Sequence, residues 1–404
     1  MNKFTDQEWQ KFIEQDTFCI APLLSYYVDA SNDLRPCCIS ELKGVKVNDT
    51  PVNLYNHTNL KNLRHALANG IKDMSCDNCW KAEKVGMNSL RNALNGRYKA
   101  ELPRLQTELN RDYSLDTLDI KYLDIRFNNK CNLKCRTCGP GFSSSWYNDY
   151  KELNPKFPVI KKISSNVEVK DITGILDSVT DIYFAGGEPL VTDEHYEVLD
   201  YLIKNNRTDV IISYNTNFSK LTYKDYNVLD YWKQFKAVNV AASLDGNHAK
   251  GEYIRKNLSW SNVLKNRKAL LKLPHVNFTI NCTVSVLNAY NVVELHREWV
   301  ELGYISPNGY NINLLFGPDP YCIKDLPDNH KQALIALYNE QIEWLKTFED
   351  CDKIIGGYNS AINLLNEPRN VARWQGEWRR VMDGLDKIRN EDFYTTFPEY
   401  KDLK

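Results

Sequence analysis

The chain has 404 residues, of which 43% are apolar and 25% charged, as in folded proteins that bury a large core. Lys and Arg number 51 against 52 Asp and Glu, and no polybasic run stands out, so electrostatics does not suggest a nucleic-acid partner. There is no apolar signal segment and no long uncharged apolar run, so we expect a cytoplasmic protein without a membrane span. In that reducing compartment its eleven cysteines serve as metal ligands or core residues rather than disulfides.

The N-terminal region predicts short elements. Thr5-x-x-Glu8 is a capping box that opens an amphipathic helix. Turn residues divide residues 18–40 into a small hairpin. A further helix is predicted over 58–69, with Thr58 as its cap.

Beyond this region the pattern changes to recurrent strand-like runs with helical patterns between them. Six strands alternating with helices predict an α/β fold with a parallel sheet, open or partly closed into a barrel. The predicted strands cover 118–127, 180–184, 209–214, 237–243, 277–284 and 310–315. The chemistry of such folds lies at the carboxyl ends of the strands, and the polar motifs below follow those ends.

The chain turns helical again beyond Pro327, where apolar residues recur at helical spacing. The sequence therefore predicts three domains: a cysteine-bearing N-terminal domain over 1–100, an α/β domain over 101–326 and a C-terminal helical extension over 327–404.

Cys131, Cys135 and Cys138 follow the first predicted strand with C-x3-C-x2-C spacing. Three thiolates on one loop can hold three irons of a [4Fe–4S] cluster and leave the fourth iron open, since the metal neutralises their charge. A structural zinc site normally has four ligands, and this loop offers no fourth cysteine or histidine. The alternatives are a zinc site completed from elsewhere or three core cysteines.

A second motif, Ala185-Gly-Gly-Glu-Pro189, follows the next predicted strand. Gly186 and Gly187 allow the backbone to approach a ligand closely, and Glu188 can accept a hydrogen bond from an ammonium group. Taken alone, the motif fits an ordinary strand-to-helix turn.

With both motifs present, residues 118–317 resemble the radical S-adenosylmethionine (radical SAM) enzymes. The resemblance implies a partial (β/α)6 barrel in which the open iron binds the amino and carboxylate groups of S-adenosylmethionine. Reductive cleavage of that molecule then gives a 5′-deoxyadenosyl radical. An electron donor such as flavodoxin or ferredoxin is implied as a partner.

The resemblance also implies roles for individual residues. The implied cluster ligands are Cys131, Cys135 and Cys138. The implied contacts to S-adenosylmethionine are Gly186, Gly187, Glu188, Asn215, Thr216, Ser243, Asp245 and Arg255, with Arg255 pairing with the methionine carboxylate. Thr137 stands where the family usually has an aromatic residue, so adenine stacking must come from elsewhere or be weaker.

A second group of cysteines lies in the N-terminal region. Cys76-x2-Cys79 is a chelating corner, and Cys19-x12-Asn32-x4-Cys37 resembles the auxiliary-cluster signature of SPASM and twitch domains. Asn32 replaces the usual glycine, which is tolerable because asparagine visits left-handed backbone conformations. The implied ligands of a second [4Fe–4S] cluster are Cys19, Cys37, Cys76 and Cys79, with Cys38 as a substitute for Cys37. Four thiolates would also satisfy a structural zinc ion.

The function implied by this resemblance is hydrogen abstraction from a peptide or protein. Modification of a small molecule such as a sugar or nucleotide is a second interpretation, and a non-catalytic iron–sulfur or zinc scaffold is a third. The sequence does not identify the substrate, the residues that act on it, the oligomeric state or whether S-adenosylmethionine is recycled.

Overall fold

The computed structural model describes residues 3–165, 167–317, 319–369 and 371–403, with only the backbone described for Asp319 and residues 371–375. It is an α/β fold with parallel strand pairs, as predicted. The strands are β1 (Ser25–Val28), β2 (Asp33–Arg35), β3 (Val45–Lys46), β4 (Tyr122–Ile125), β5 (Asp181–Phe184), β6 (Ile211–Thr216), β7 (Thr222–Tyr223), β8 (Tyr226–Asn227), β9 (Val238–Ser243), β10 (Val276–Val284) and β11 (Tyr310–Leu314).

The α-helices lie before, between and after these strands along the chain. They are α1 (Asp6–Ile13), α2 (Ala21–Leu24), α3 (Pro51–Tyr55), α4 (Thr58–Ala68), α5 (Asp77–Lys84), α6 (Leu90–Arg97), α7 (Leu102–Glu108), α8 (Tyr147–Leu153), α9 (Thr173–Leu176), α10 (Asp193–Lys204), α11 (Val228–Trp232), α12 (His248–Ile254), α13 (Trp260–Leu270), α14 (Asn291–Glu301), α15 (Asp328–Leu345), α16 (Asp352–Leu365), α17 (Val371–Arg389) and α18 (Phe393–Thr396).

The described chain divides into two compact units. The first comprises 1–128, 164–186 and 194–212, and the second comprises 129–163, 187–193 and 213–404. This division differs from the three domains of the sequence analysis, which stay a prediction.

In the first unit, β4 pairs in parallel with both β1 and β5, and β1, β2 and β3 form antiparallel pairs. The sequence predicted the β1–β2 hairpin, but not that β1 also lies in parallel beside β4. The hairpin turn contains Asn32 at φ 64°, in the left-handed region. Asn32 thus adopts a left-handed backbone conformation, which glycine favours and asparagine tolerates.

In the second unit, β10 pairs in parallel with β9 and β11. Alternate residues of these three strands are buried, and these are mostly apolar because one face packs into the core. The other face is partly exposed, although parallel sheets are usually apolar on both faces.

Two predicted helix starts had different outcomes. Helix α1 has its capping box in both directions, with Thr5 and Glu8 each bonding the backbone of the other, as predicted. The cap of α4 is His57 and not Thr58: Thr58 is already helical, while the extended His57 accepts a hydrogen bond from Asn59 N through Nδ1 at 3.2 Å.

Candidate functional site

The cysteine loop, residues 131–138, is held by backbone hydrogen bonds to the segment that follows α12. Arg136 N donates to Ile254 O at 2.8 Å, and Lys134 N donates to Lys256 O at 3.1 Å. The two acceptors flank one residue, which is therefore fixed beside the loop.

That residue is Arg255, which contacts both the cysteine loop and Asp245, another predicted contact of S-adenosylmethionine. Its Nη1 donates to Cys135 Sγ at 3.5 Å, and its Nη2 lies 2.8 Å from Asp245 Oδ2 in a buried ion pair. Asp245 Oδ1 also accepts a hydrogen bond from Thr283 N at 2.9 Å. Burial alone would lower the pKa of Arg255, but the Asp245 carboxylate and the Cys135 thiol more than offset it and raise the pKa.

One polar atom of this arrangement has no protein partner. Arg255 Nε is buried and makes no hydrogen bond to the described residues. A buried guanidinium N–H without an acceptor is unfavourable, so a ligand that supplied an acceptor here would be stabilised. This fits the implied contact with a carboxylate, although in the structure the Arg255 charge is paired with Asp245.

The three thiols of the loop are mostly buried and electrostatically coupled. Burial raises the pKa of Cys131 and Cys138 to about 12, and the neighbouring Cys135 adds to both shifts. Burial also raises the pKa of Cys135. Three thiolates can occupy this loop together only if a bound cation neutralises them, which is the chemistry of a metal-cluster donor set.

The Gly-Gly-Glu motif shows why small residues are needed at its centre. A Cβ at Gly187 would lie 2.0 Å from Lys130 O, so only glycine fits beside the start of the cysteine loop. Glu188 N donates to the same Lys130 O at 2.8 Å. The preceding Gly186 has φ 119°, which also favours glycine.

Glu188 is buried with both carboxylate oxygens engaged. Thr216 Oγ1 donates to Oε1 at 2.6 Å and Asn217 N donates to Oε2 at 2.6 Å. Burial raises the pKa of Glu188 to about 7, partly offset by these hydrogen bonds. Thr216 has only one hydroxyl hydrogen and donates it to Glu188. In this structure the two side chains therefore stabilise the glycine motif.

Asn217 is a site residue that sequence reasoning missed. Its side chain is buried, and Nδ2 donates to Asn132 Oδ1 at 3.0 Å and lies 3.9 Å from Cys131 Sγ. Since its backbone N–H bonds Glu188, Asn217 connects the carboxylate with the first cysteine. Asn217 directly follows Asn215 and Thr216 in the sequence, and this position was the one sequence feature that could have indicated its role.

Two other predicted contacts, Asn215 and Ser243, lie on strands β6 and β9. Both side chains are partly exposed, and Asn215 Oδ1 accepts a hydrogen bond from Asn281 Nδ2 at 3.2 Å. Their contact with S-adenosylmethionine stays a prediction.

The second cysteine group surrounds a cavity in the first unit, where a space of about 370 Å³ includes open solvent. Its wall contains the four predicted ligands Cys19, Cys37, Cys76 and Cys79, together with mostly apolar residues, Ser40 and Arg91. Burial raises the pKa of Cys19 to about 12 and of Cys76 to about 11, and the neighbouring thiols contribute to both shifts. Four thiols around one space fit a group that binds four thiolates.

Arg91 is the charged residue among those described in the cavity wall. Its Nη2 and Nε bind the two carboxylate oxygens of Glu83 at 2.8 and 3.0 Å, and its Nη1 donates to Phe18 O at 2.8 Å. These contacts fix the guanidinium at one place in the wall.

The structure distinguishes Cys37 from Cys38. Cys37 lines the cavity, whereas Cys38 lies near the buried Asp124 carboxylate. Burial raises the pKa of Cys38 well above its usual value, and Asp124 adds to the shift. Asp124 lies 3.6 Å from Arg126 Nε, and neither carboxylate oxygen makes a hydrogen bond to the described residues. The geometry therefore favours Cys37 over Cys38 as the ligand.

Two searches over the described residues gave negative results. No group of three or more His, Cys, Asp or Glu side chains in the described chain is arranged to hold a single metal ion. None of the described helices is long and apolar enough to cross a membrane.

Comparisons with known proteins found similarity only among solved structures. No family model and no curated protein matches the chain. A structure of anSMEcpe with bound AdoMet and Cp18Cys peptide is 19% identical, with a TM-score of 0.40 over 56% of this chain and 61% of that one. Streptococcus suis SuiB bound to S-adenosylmethionine is 13% identical, with a TM-score of 0.38 over 80% of this chain and 68% of SuiB.

A structure of TYW1 with a lysine-pyruvate adduct is 12% identical, with a TM-score of 0.29 over 57% of this chain and 71% of that one. These similar structures are radical SAM enzymes. This chain spans about three fifths of the length of anSMEcpe. Because these TM-scores lie below 0.5, the function below rests on the chain's own residues.

Proposed function

We propose that this chain is a radical SAM enzyme whose catalytic cluster is held by Cys131, Cys135 and Cys138. The observation that carries the proposal is the position of Arg255, which contacts Cys135 Sγ on one side and Asp245 on the other. Residues 120 positions apart in the sequence meet here, at the three-thiol loop. An ordinary strand-end turn does not require this convergence.

A [4Fe–4S] cluster with S-adenosylmethionine would supply a 5′-deoxyadenosyl radical for hydrogen abstraction. The protein's part is to bind and to orient. Arg255 presents its buried Nε toward an acceptor, and Asp245 keeps the guanidinium in place. Gly187 leaves room for the close approach to Lys130, and Glu188 holds Asn217 beside Cys131. Ser243 and Asn215 would contact the bound molecule from the strand ends.

We infer that the second cysteine group holds an auxiliary [4Fe–4S] cluster through Cys19, Cys37, Cys76 and Cys79. The cavity lined by all four thiols supports this inference. Such a cluster would give the N-terminal region the role of a twitch domain, as the resemblance implies. Because four thiolates occupy all four irons, this cluster would have no open position for a ligand, and we assign it electron transfer.

The remaining parts of the proposal follow from the resemblance. The parallel strands would form a partial (β/α)6 barrel, with a peptide or protein as substrate and a flavodoxin or ferredoxin as electron donor. These points are expectations for experiment, and the location of the protein in the cytoplasm is another.

The first experiment tests the catalytic cluster. The protein is reconstituted anaerobically with iron and sulfide and then given dithionite and S-adenosylmethionine. We expect 5′-deoxyadenosine and methionine to form. A correctly loaded protein that forms neither would overturn the enzymatic proposal and favour the non-catalytic scaffold.

The second experiment counts metal in the two groups. We expect about eight irons in the wild-type protein and about four in the double variant Cys76→Ala/Cys79→Ala, since each cluster contains four. The variant Cys351→Ala, which changes a buried cysteine outside both groups, is the control and should keep all of them. Loss of zinc instead of iron from the double variant would show a structural zinc site.

A further inference from the structure

The partly exposed face of β9, β10 and β11 is uncharged and, apart from Ala241, polar. None of the residues in these three strands is acidic, basic or histidine. We call this surface the amide face, because asparagine is its commonest residue. It consists of Asn239, Ala241, Ser243, Asn277, Thr279, Asn281, Thr283, Asn311 and Asn313.

Strand register aligns these residues across the sheet. Asn281 lies opposite Ser243 on one side and opposite Asn311 on the other, and Thr283 lies opposite Asn313. The same side of neighbouring parallel strands therefore carries side chains that both donate and accept hydrogen bonds. Ser243 belongs to this face and is also a proposed contact for S-adenosylmethionine, so the face is continuous with the proposed site.

The asparagines form a row of hydrogen bonds with unused capacity at its ends. Asn313 Nδ2 donates to Asn281 Oδ1, and Asn281 Nδ2 donates to Asn215 Oδ1 at 3.2 Å. Among the described residues, no partner is found for Asn215 Nδ2 or for Asn313 Oδ1. The row thus offers a ligand amide hydrogens at one end and a carbonyl oxygen at the other.

The composition of the face restricts what can bind there. Phosphates require cations, and among the described residues Lys353, which donates to Asn311 Oδ1 at 2.7 Å, is the cation that bonds to the face. Bases are usually stacked on aromatic rings, and none of the residues on this side of the three strands is aromatic. A main-chain peptide group is neutral and carries one donor and one acceptor, which matches the side-chain amide.

We propose that the amide face binds the main-chain amides of a peptide substrate, with Asn281 and Asn313 as the central contacts. This inference rests on the proposed function and specifies which groups of its peptide substrate the protein recognises. It assigns recognition to the peptide backbone rather than to charged side chains.

The experiment is saturation-transfer NMR on the full-length protein with a capped neutral peptide, acetyl-Ala-Gly-Ala-amide. Methyl glucoside and adenosine monophosphate are the comparison probes. We expect saturation of the peptide signals in the wild type and little for the other two. Removing one hydrogen-bonding partner weakens binding by about tenfold, so the peptide signal should fall about threefold or more in Asn281→Leu.

Two further variants separate recognition from folding. Asn281→Asp keeps the shape of the side chain but replaces its amide donor with a negative charge, and we expect the same loss of peptide signal. Asn205→Leu changes an exposed asparagine after α10 that is not on the face, and it should keep the wild-type signal. Thermal melting by circular dichroism checks that all variants are folded.

Saturation of methyl glucoside or of the nucleotide instead of the peptide would overturn the inference, as would a peptide signal unchanged in both Asn281 variants. Absence of any peptide signal in the wild type would overturn it as well. Formation of 5′-deoxyadenosine from S-adenosylmethionine without peptide is measured on the same preparations. If that product forms while the peptide result fails, only the substrate assignment is wrong.

Discussion

The two cysteine groups differ in what surrounds the sulfur atoms. In the first unit, four thiols line a cavity whose wall is mostly apolar, with Arg91 as the charged residue in the described wall. In the second unit, three thiols share one loop, and Arg255 and Asn217 approach their sulfur atoms with polar hydrogens. A set of four thiols needs nothing further, whereas a set of three leaves a position for a ligand that polar groups must hold.

The largest expected difference between the two groups is in the rate of 5′-deoxyadenosine formation after one thiol is removed from each. Cys135→Ala should lower the rate of 5′-deoxyadenosine formation about 1000-fold or more, because the cofactor carries the chemistry. Cys79→Ala should leave that rate within about tenfold of the wild type, because an electron-transfer cluster is not needed to cleave S-adenosylmethionine. Rates are measured by chromatography of the product, with Cys351→Ala as the control. Equal losses in both variants would contradict the division of roles.

The next effect concerns the buried ion pair. Arg255→Met leaves Asp245 buried without its cation, and we expect the free energy of unfolding to fall by about 3 to 5 kcal/mol. Urea unfolding of the metal-free protein measures this. The matched variant Arg255→Met/Asp245→Asn removes the orphaned charge and should recover part of the loss. A double variant no more stable than the single one would show that the pair is not coupled.

Gly187→Ala tests the close approach of the glycine motif to the cysteine loop. A Cβ at 2.0 Å from Lys130 O forces the backbone apart, so unfolding should become easier by about 3 kcal/mol. Gly174→Ala is the control: no atom lies within 4 Å of its Cβ position, and its stability should not fall. A Gly187 variant as stable as the control would mean that the backbone at Lys130 can move without loss of stability.

The pH dependence of Glu188 is a smaller test of the same site. The folded pKa of about 7 lies above the usual value of 4.5, so the folded protein holds the proton more tightly than the unfolded chain. Stability contributed by this group is therefore present at low pH and is lost as pH rises from 4.5 to about 7. We expect a fall of about 2 to 3 kcal/mol over that range in the metal-free protein.

Glu188→Gln removes this titration and should flatten the profile. It is measured by urea unfolding at a series of pH values beside the wild type. A variant whose profile still falls as the wild type does would assign the pH dependence to another group.

The smallest expected loss of stability comes from Arg91, the charged residue beside the first cysteine group. The two arginines are equally exposed, but the carboxylate left without its cation is 22% exposed in Glu83 and 1% exposed in Asp245. Water can solvate Glu83, so Arg91→Met should cost only about 1 kcal/mol. Thermal melting of Arg91→Met and Arg255→Met, measured side by side, compares the two arginines. A larger loss of stability in Arg91→Met than in Arg255→Met would contradict this comparison of the two arginines.

Local pattern was enough to predict much of the fold. The alternating residues of β9, β10 and β11 and the capping box of α1 are properties of a few neighbouring residues, and the structure has all of them. The parallel pairing of β1 with β4 joins residues about a hundred positions apart. No periodicity within a short strand encodes its partner, so the sequence predicted only the hairpin.

The candidate site shows the same limit. The resemblance to an auxiliary-cluster signature implied which N-terminal thiols are grouped, and all four of them line the cavity. The choice between the adjacent Cys37 and Cys38 needed the positions of their side chains. The ion pair of Asp245 with Arg255 and the role of Asn217 depend on loops that meet only after folding.

The anchoring of the cysteine loop has a consequence for metal incorporation. Besides the backbone bonds to Ile254 and Lys256, the buried Arg136 of the loop is paired with Asp386 at 2.5 Å and with Glu391 at 2.6 Å. These contacts constrain the loop from both its backbone and a side chain, and none of them involves a thiol. Iron and sulfide would enter a preorganised loop, so cluster assembly in this unit should not be a folding transition, unlike in small metal-dependent domains.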